Sequence, residues 1–158
     1  MVLDWDSYFL EMAKTASKRS SCLRAQVGAI IVGADKMIKA TGYNGTPAKV
    51  ESCLERNYCF RIHNKIPSGT RYETCRSIHA EQNAIIQAGL DRTKGAAMYI
   101  YGHDFICILC KRFILQAQIE NIILKKDDDS PVIRLTAADL KEDLERTENL
   151  TETAEVKN

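Results

Sequence analysis

One histidine and two cysteines in this chain stand at the spacing of a metal site. His79 opens the tripeptide His79-Ala80-Glu81, and Cys107 and Cys110 frame the segment Cys107-Ile108-Leu109-Cys110. Together they fill three corners of a zinc tetrahedron and leave the fourth to water, which is the arrangement of a catalytic site rather than a closed structural one. Zinc held in this way lowers the pKa of a water toward neutrality and so provides a nucleophile. Glu81, two residues past the histidine, is close enough to reach that water without being a ligand. A carboxylate there can carry protons between the water and the group under attack. Each half alone says less: His-Ala-Glu arises by chance, and Cys-x-x-Cys also serves redox pairs and structural zinc half-sites. Both halves on one domain point to zinc-assisted hydrolysis.

Several elements must converge to bring these residues together. Trp5, Phe9, Met12, Ala13 and Ala16 recur at helical spacing behind Asp4, an N-cap residue type, and predict a helix over residues 5–18. Val27 to Val32 is a short apolar run rich in β-branched residues and reads as a buried strand. Gly33 to Lys36 supplies a turn, and Met37 to Gly42 returns as an antiparallel strand. Helical signal runs from His79 to Gly89, where glycine is a stop. Ala96–Tyr101 is a third strand, Cys107 to Ala117 a helix, and Asn121–Leu124 a fourth strand. Strand, helix, strand implies a right-handed parallel crossover, hence a mixed sheet covered by helices. Thr136 can cap a last helix that carries Leu140 and Leu144 on one face. Both Cys107-x-x-Cys110 and His79 then open helices, whose unsatisfied amides and positive dipole ends favour thiolate over thiol.

Residues 44–78 have no sustained periodicity and hold Gly45, Pro47, Pro67, Gly69 and three cysteines. A loop this long inside a compact domain needs something to tie it down. Apart from the pair at 107 and 110, the remaining cysteines are Cys22, Cys53, Cys59 and Cys75, four being the number a closed structural zinc requires. A second zinc on these four would pin the loop; four unrelated buried thiols is the plainer alternative.

The chain's 158 residues suffice for one domain with a real core, read here as residues 1–147, followed by a flexible polar tail over 148–158. Its net charge of +1 argues against a protein whose main task is gripping long nucleic acid. The N-terminus is acidic and lacks an apolar leader, and no apolar run reaches membrane-spanning length. Six cysteines in a chain of this kind read as metal ligands rather than disulfides, and the expected compartment is the cytoplasm.

H-x-E followed by P-C-x-x-C is the signature of zinc-dependent nucleobase deaminases. Ile106 stands here where that signature has proline, a residue that stiffens the helix start but ligates nothing. Three longer blocks sharpen the match: Arg19 to Ala29 (RSSCLRAQVGA), Thr41 to Pro47 (TGYNGTP) and Cys75 to Ala84 (CRSIHAEQNA). With these the chain resembles the deoxycytidylate (dCMP) deaminases from about Trp5 to about Leu124. The resemblance implies an α/β fold, a cytidine-deaminase-like three-layer α/β/α sandwich with a mixed central sheet. It implies conversion of dCMP to dUMP and ammonia, feeding thymidylate synthesis. It also implies a homo-oligomer (many members are hexamers), with dCTP as activator and dTTP with magnesium as inhibitor. The catalytic zinc then falls on His79, Cys107 and Cys110, the proton shuttle on Glu81 and a deoxyribose contact on Asn44, with Ala80 beside the substrate. Some members hold a second zinc that includes cysteines matching Cys22 and Cys53. Two features depart from the pattern, Ile106 and the longer segment Tyr101 to Phe105.

A phosphate site has separate support in Arg56, Arg61, Lys65, Arg71 and Arg76, opposed between residues 56 and 76 only by Glu73. Most of these are expected to be solvated, with one or two reaching phosphate, Arg71 among the candidates; Arg19 and Ser20 are further ones. His103 is either a pocket residue or a surface-loop histidine. The rival enzyme class is a tRNA or other nucleic-acid deaminase, which would carry a basic C-terminal helix. Residues 136–158 instead hold seven acidic side chains against three basic ones. A rival of another kind is a catalytically inactive, zinc-stabilised nucleotide-binding protein, against which Glu81 speaks.

Overall fold

The computed structural model describes residues 1–155, with side chains through residue 146. Strands β1 (Gly28–Val32), β2 (Ile38–Tyr43), β3 (Ala97–Tyr101), β4 (Asn121–Lys125) and β5 (Ile133–Thr136) form one sheet in the order β2-β1-β3-β4-β5. Only the β3–β4 pair is parallel; the other three pairs are antiparallel, so the sheet is mixed. The parallel pair is joined through a helix, α6 (Ile108–Gln116), as the strand-helix-strand pattern requires.

Alternation along the strands builds a core on each face. Ala29, Ile31, Met98, Ile100, Ile122 and Leu124 pack on one side against Ala80, Ala84 and Ala88 of α4 (Ala80–Ala88) and Ile114 of α6. Ile30, Val32, Tyr99 and Ile123 pack on the other against Phe9, Leu10 and Ala13 of α1 (Trp5–Ser17). A strand buried on both faces reads as an unbroken apolar run, which is why β1 shows no polar alternation. Helices on both faces make three layers. Asp4 caps α1 by accepting a hydrogen bond from the Ser7 amide at 3.0 Å.

Some elements went unforeseen. β5 is a four-residue edge strand whose half-exposed alternation and charged surroundings hid it. The segment 44–78 is no bare loop: it holds α2 (Cys53–Arg56), α3 (Phe60–His63) and a 3-10 turn at Tyr72–Thr74, and α5 (Leu90–Thr93) follows α4. Its ends are stitched together by paired hydrogen bonds between Gly45 and Ile78, 3.1 and 2.8 Å. A capping box of Ser52 and Glu55 starts α2, and the Leu54 amide donates to the Ser21 carbonyl at 3.2 Å. These ties between protein groups contribute to ordering the loop. The last helix, α7 (Ala137–Glu155), opens on a reciprocal cap between Thr136 and Asp139 and buries Leu140. Its helical backbone covers residues 148–155 of the expected tail; residues 156–158 lie outside the described residues. No helix is long and apolar enough to cross a membrane among the described residues.

Candidate active site

The strand register sets the site at one end of the strands β1, β2 and β3. Gly28 at the start of β1 lies opposite both Tyr43 at the end of β2 and Tyr101 at the end of β3. The chain segments around residues 25–27, 44–45 and 102–107 are therefore neighbours. Two glycines allow this closeness. A Cβ on Gly102 (φ +109°) would meet the Gln26 carbonyl oxygen at 2.2 Å, and one on Gly42 would meet that of Ala80 at 2.3 Å. Gly42 thus seats the first turn of α4 directly on β2.

His79 occupies the N-cap of α4, and its amide donates to the Gln82 side chain at 3.0 Å. Cys107 occupies the N-cap of α6, with its Sγ accepting from the Cys110 amide at 3.4 Å. The two helix starts converge: His79 Nδ1 lies 3.3 Å from both sulfurs. Donors on a zinc tetrahedron stand about 3.5–3.8 Å apart, so the three fit the ion with a small expansion. Among the described residues this is the one group of three or more candidate ligands with all donor atoms within 4.8 Å of each other.

The protonation chemistry agrees. The Cys107 thiol is pulled down to about 4, chiefly by the hydrogen bond from Cys110, then by His79 and the Cys110 amide, against the opposing effect of burial. Cys110, as the donor to Cys107 and through burial, is pushed well up. Without a cation the pair keeps one proton between them; a divalent ion is what displaces it. For His79, burial works downward but contact with Cys107 and the negative Glu81 outweigh it, so the imidazole lies above its ordinary value.

Glu81 is 4% exposed, and burial raises its carboxyl above the usual range despite the helix amides and His79. It lines one cleft with His79, Ala80, Cys107, Asn44 and His103. His103 therefore belongs to the pocket, where burial lowers its pKa. Asn44 is anchored in the wall: its Oδ1 accepts from the Val27 amide at 2.9 Å and its Nδ2 donates to the Ala25 carbonyl at 2.8 Å. Tyr72 stands edge-on to His79 with ring centres 4.8 Å apart. Nothing in the sequence singled out Tyr72, or Phe105 beside His103, because both come from segments without periodicity.

Other residues expected at the site lie elsewhere. Arg19 is exposed, and Arg71 is exposed beside Glu73 at 3.4 Å. Ser20 is buried in its own turn, where its hydroxyl donates to the Ala25 carbonyl at 3.4 Å and accepts from the Cys22 amide at 3.2 Å. None of the three lines the cleft. All six cysteines are free thiols. Cys53 is buried, which raises its pKa, as do the neighbouring Cys59, Cys22 and Cys75. The four gather in one region, yet no three of their sulfurs lie within 4.8 Å of each other.

This arrangement defines a class. The family model of the cytidine and deoxycytidylate deaminase zinc-binding region matches residues 3–126, and the chain belongs to that family. Zinc is accordingly the metal of the site, with His79, Cys107 and Cys110 the group able to hold it. Among individual relatives, the deoxycytidylate deaminase of Schizosaccharomyces pombe is 40% identical over 119 residues, 75% of this chain and 36% of that protein. The chain thus spans about a third of that relative. The deoxycytidylate deaminase of Mycobacterium phage D29 is 34% identical over 129 residues, 78% of this chain and 96% of that one. The crystal structure of dCMP deaminase from cyanophage S-TIM5 in its apo form superposes with a TM-score of 0.57 at 25% identity, covering 82% of this chain and 88% of that one. The three-layer sandwich of this chain is the fold it has in common with that structure.

Proposed function

We propose that this protein deaminates dCMP to dUMP and ammonia by hydrolysis. The observation that carries the reading is buried Glu81 lining one cleft with His79 and Cys107 of the three-donor zinc group, on a chain that matches nearly the full length of the phage D29 enzyme. When bound, zinc supplies the Lewis acidity that makes a water nucleophilic near neutral pH. His79, Cys107 and Cys110 would hold that ion where the starts of the two helices converge. Glu81 takes one proton from the water and delivers it to N3 of the cytosine ring as the water oxygen bonds to C4. It then takes the second proton from that oxygen and passes it to the amino group as the C4–N bond breaks and ammonia leaves. Its raised pKa suits a group that must both accept and release a proton. Ala80 and Tyr72 close the cleft beside the ring, and the Asn44 amide faces the deoxyribose from a fixed position.

The four cysteines outside the catalytic set, Cys22, Cys53, Cys59 and Cys75, are read as ligands of a second, structural zinc, which would draw their sulfurs closer together than they stand. Regulation by dCTP and by dTTP with magnesium, a homo-oligomeric (hexameric) assembly, a cytoplasmic location and a single domain over 1–147 belong to the same reading. The acidic character of residues 136–158 favours a free nucleotide over RNA as substrate. Ammonia release measured on cytosine, adenine and guanine nucleotides at each phosphorylation level tests the assignment. Turnover of dCMP above all others supports it; turnover confined to adenine or guanine nucleotides refutes it.

A further inference from the structure

The basic residues between 56 and 76 divide sharply once folded. Arg56 sits 3.9 Å from Glu51, Arg71 sits beside Glu73, and Arg76 lines a separate hollow. Arg61 alone of them is inside the catalytic cleft, where it is 4% exposed. Its Nη2 donates to the carbonyls of Pro67 at 3.0 Å and Thr70 at 2.7 Å, and its guanidinium lies 4.3 Å over the Tyr72 ring. The opposite side of the site is near, since Tyr72 is itself in contact with His79.

Three features separate Arg61 from an ordinary structural arginine. Its acceptors are neutral carbonyls, so the guanidinium is oriented without being neutralised, and no carboxylate pairs with it among the described residues. Its Nε is buried with no hydrogen-bond partner, the single such side-chain atom among the described residues. Nη1 also makes no hydrogen bond, so most of the donors of the fork are unused. A buried cation left in this state is unfavourable unless something anionic completes it. At the rim of the same cleft Arg24 repeats the pattern, donating from Nη1 to the Ile66 carbonyl at 2.8 Å. Glu81 is the one carboxylate among the lining residues, and it belongs to the zinc side.

We infer that Arg61, assisted by Arg24, is the seat of the substrate's phosphate and sets the preference for a nucleotide over a nucleoside. The inference rests on the proposed reading of the cleft as a dCMP site, and it assigns the selectivity to a residue the sequence could not separate from its neighbours. The segment 66–70, held by both guanidiniums, then acts as the frame that aims them. Arg–phosphate pairs exploit planar, multiple donors, so a point charge is a poor substitute.

The test uses the product, which is not turned over. Calorimetric binding of dUMP and deoxyuridine to the zinc-loaded protein should favour dUMP by at least about 100-fold, and Arg61→Gln should erode that margin by about 10- to 100-fold. Deoxyuridine affinity and zinc content should stay within about threefold of the unsubstituted protein, on the scale of a factor of ten per 1.4 kcal/mol. Arg61→Lys should recover only part of the margin. Inorganic phosphate should compete with dUMP in the unsubstituted protein, and does so whether or not the Gln variant folds. Equal weakening of dUMP and deoxyuridine in the variants would assign Arg61 to holding the loop and overturn the inference, as would an intact margin or absence of phosphate competition. A protein that prefers dUMP but releases no ammonia from dCMP keeps the phosphate seat and loses the proposed reaction. One that deaminates dCMP and deoxycytidine equally well keeps the reaction and loses the seat.

Discussion

Gly42→Ala should injure the zinc site from a distance, although Gly42 touches neither the metal ligands nor the cleft. A Cβ at this position meets the Ala80 carbonyl oxygen at 2.3 Å, the Ala84 amide nitrogen at 2.5 Å and the Ala84 Cβ at 2.9 Å. Two of these contacts are backbone, so no side chain can swing aside. Restoring an ordinary separation of about 3.3 Å or more requires α4 to lift from β2 by about 1 Å. Overpacking of this kind costs about 1–3 kcal/mol, which lowers the melting temperature of a domain this size by several degrees. His79 precedes Ala80 and caps the same helix, so it moves with the lifted turn, while Cys107 and Cys110 stay with α6. Misplacement of a reacting group by about 1 Å is worth roughly a hundredfold in rate. The assay is threefold: thermal unfolding, zinc retention against a chelator, and kcat for dCMP. Thr41→Ala, on the exposed neighbouring residue of the same strand, is the control and should change none of them. A Gly42→Ala protein with wild-type zinc retention and kcat would refute the claim that this glycine seats the catalytic helix.

Glu81→Gln should keep its zinc and its fold, since an amide of the same shape relieves the burial of a carboxylate, yet lose about 10²–10⁴-fold in kcat; activity within tenfold of wild type removes the proton-shuttle role. Metal analysis should return about two zinc ions per chain, with Cys107→Ser losing the catalytic one and Cys53→Ser the other; one zinc in the unsubstituted protein would end the four-cysteine proposal. Tyr99→Phe removes a buried hydroxyl that donates to Asp6 at 2.9 Å on the α1 face, so it should lower unfolding free energy by about 1.5–3 kcal/mol and leave kcat unchanged. Urea denaturation and turnover measured on the same preparation check both halves of that statement.

The proposed catalytic set was legible in the chain because its chemistry is local. His79 with Glu81, and Cys107 with Cys110, are each fixed by spacings of two and three residues at helix starts, and zinc narrows the choice of partner to residues of these types. The strands β1 to β4 and helices α1, α4 and α6 were legible for a similar reason: each carries its own local apolar pattern, helical spacing in the helices and a short apolar run in strands such as β1. β5 was not, being short, half-exposed and stable only through pairing with β4. The segment 44–78 was illegible as structure because its order comes from partners distant in sequence: Gly45 with Ile78, Leu54 with Ser21, Arg24 with Ile66. The same cause explains the substrate-binding residues. Five basic side chains between 56 and 76 look alike in a linear string, and only the folded loop decides that Arg56 and Arg71 find acids in solvent while Arg61 is carried inside. Which of several identical charges does the binding is a question of burial and of neighbours, and both are properties of the tertiary structure.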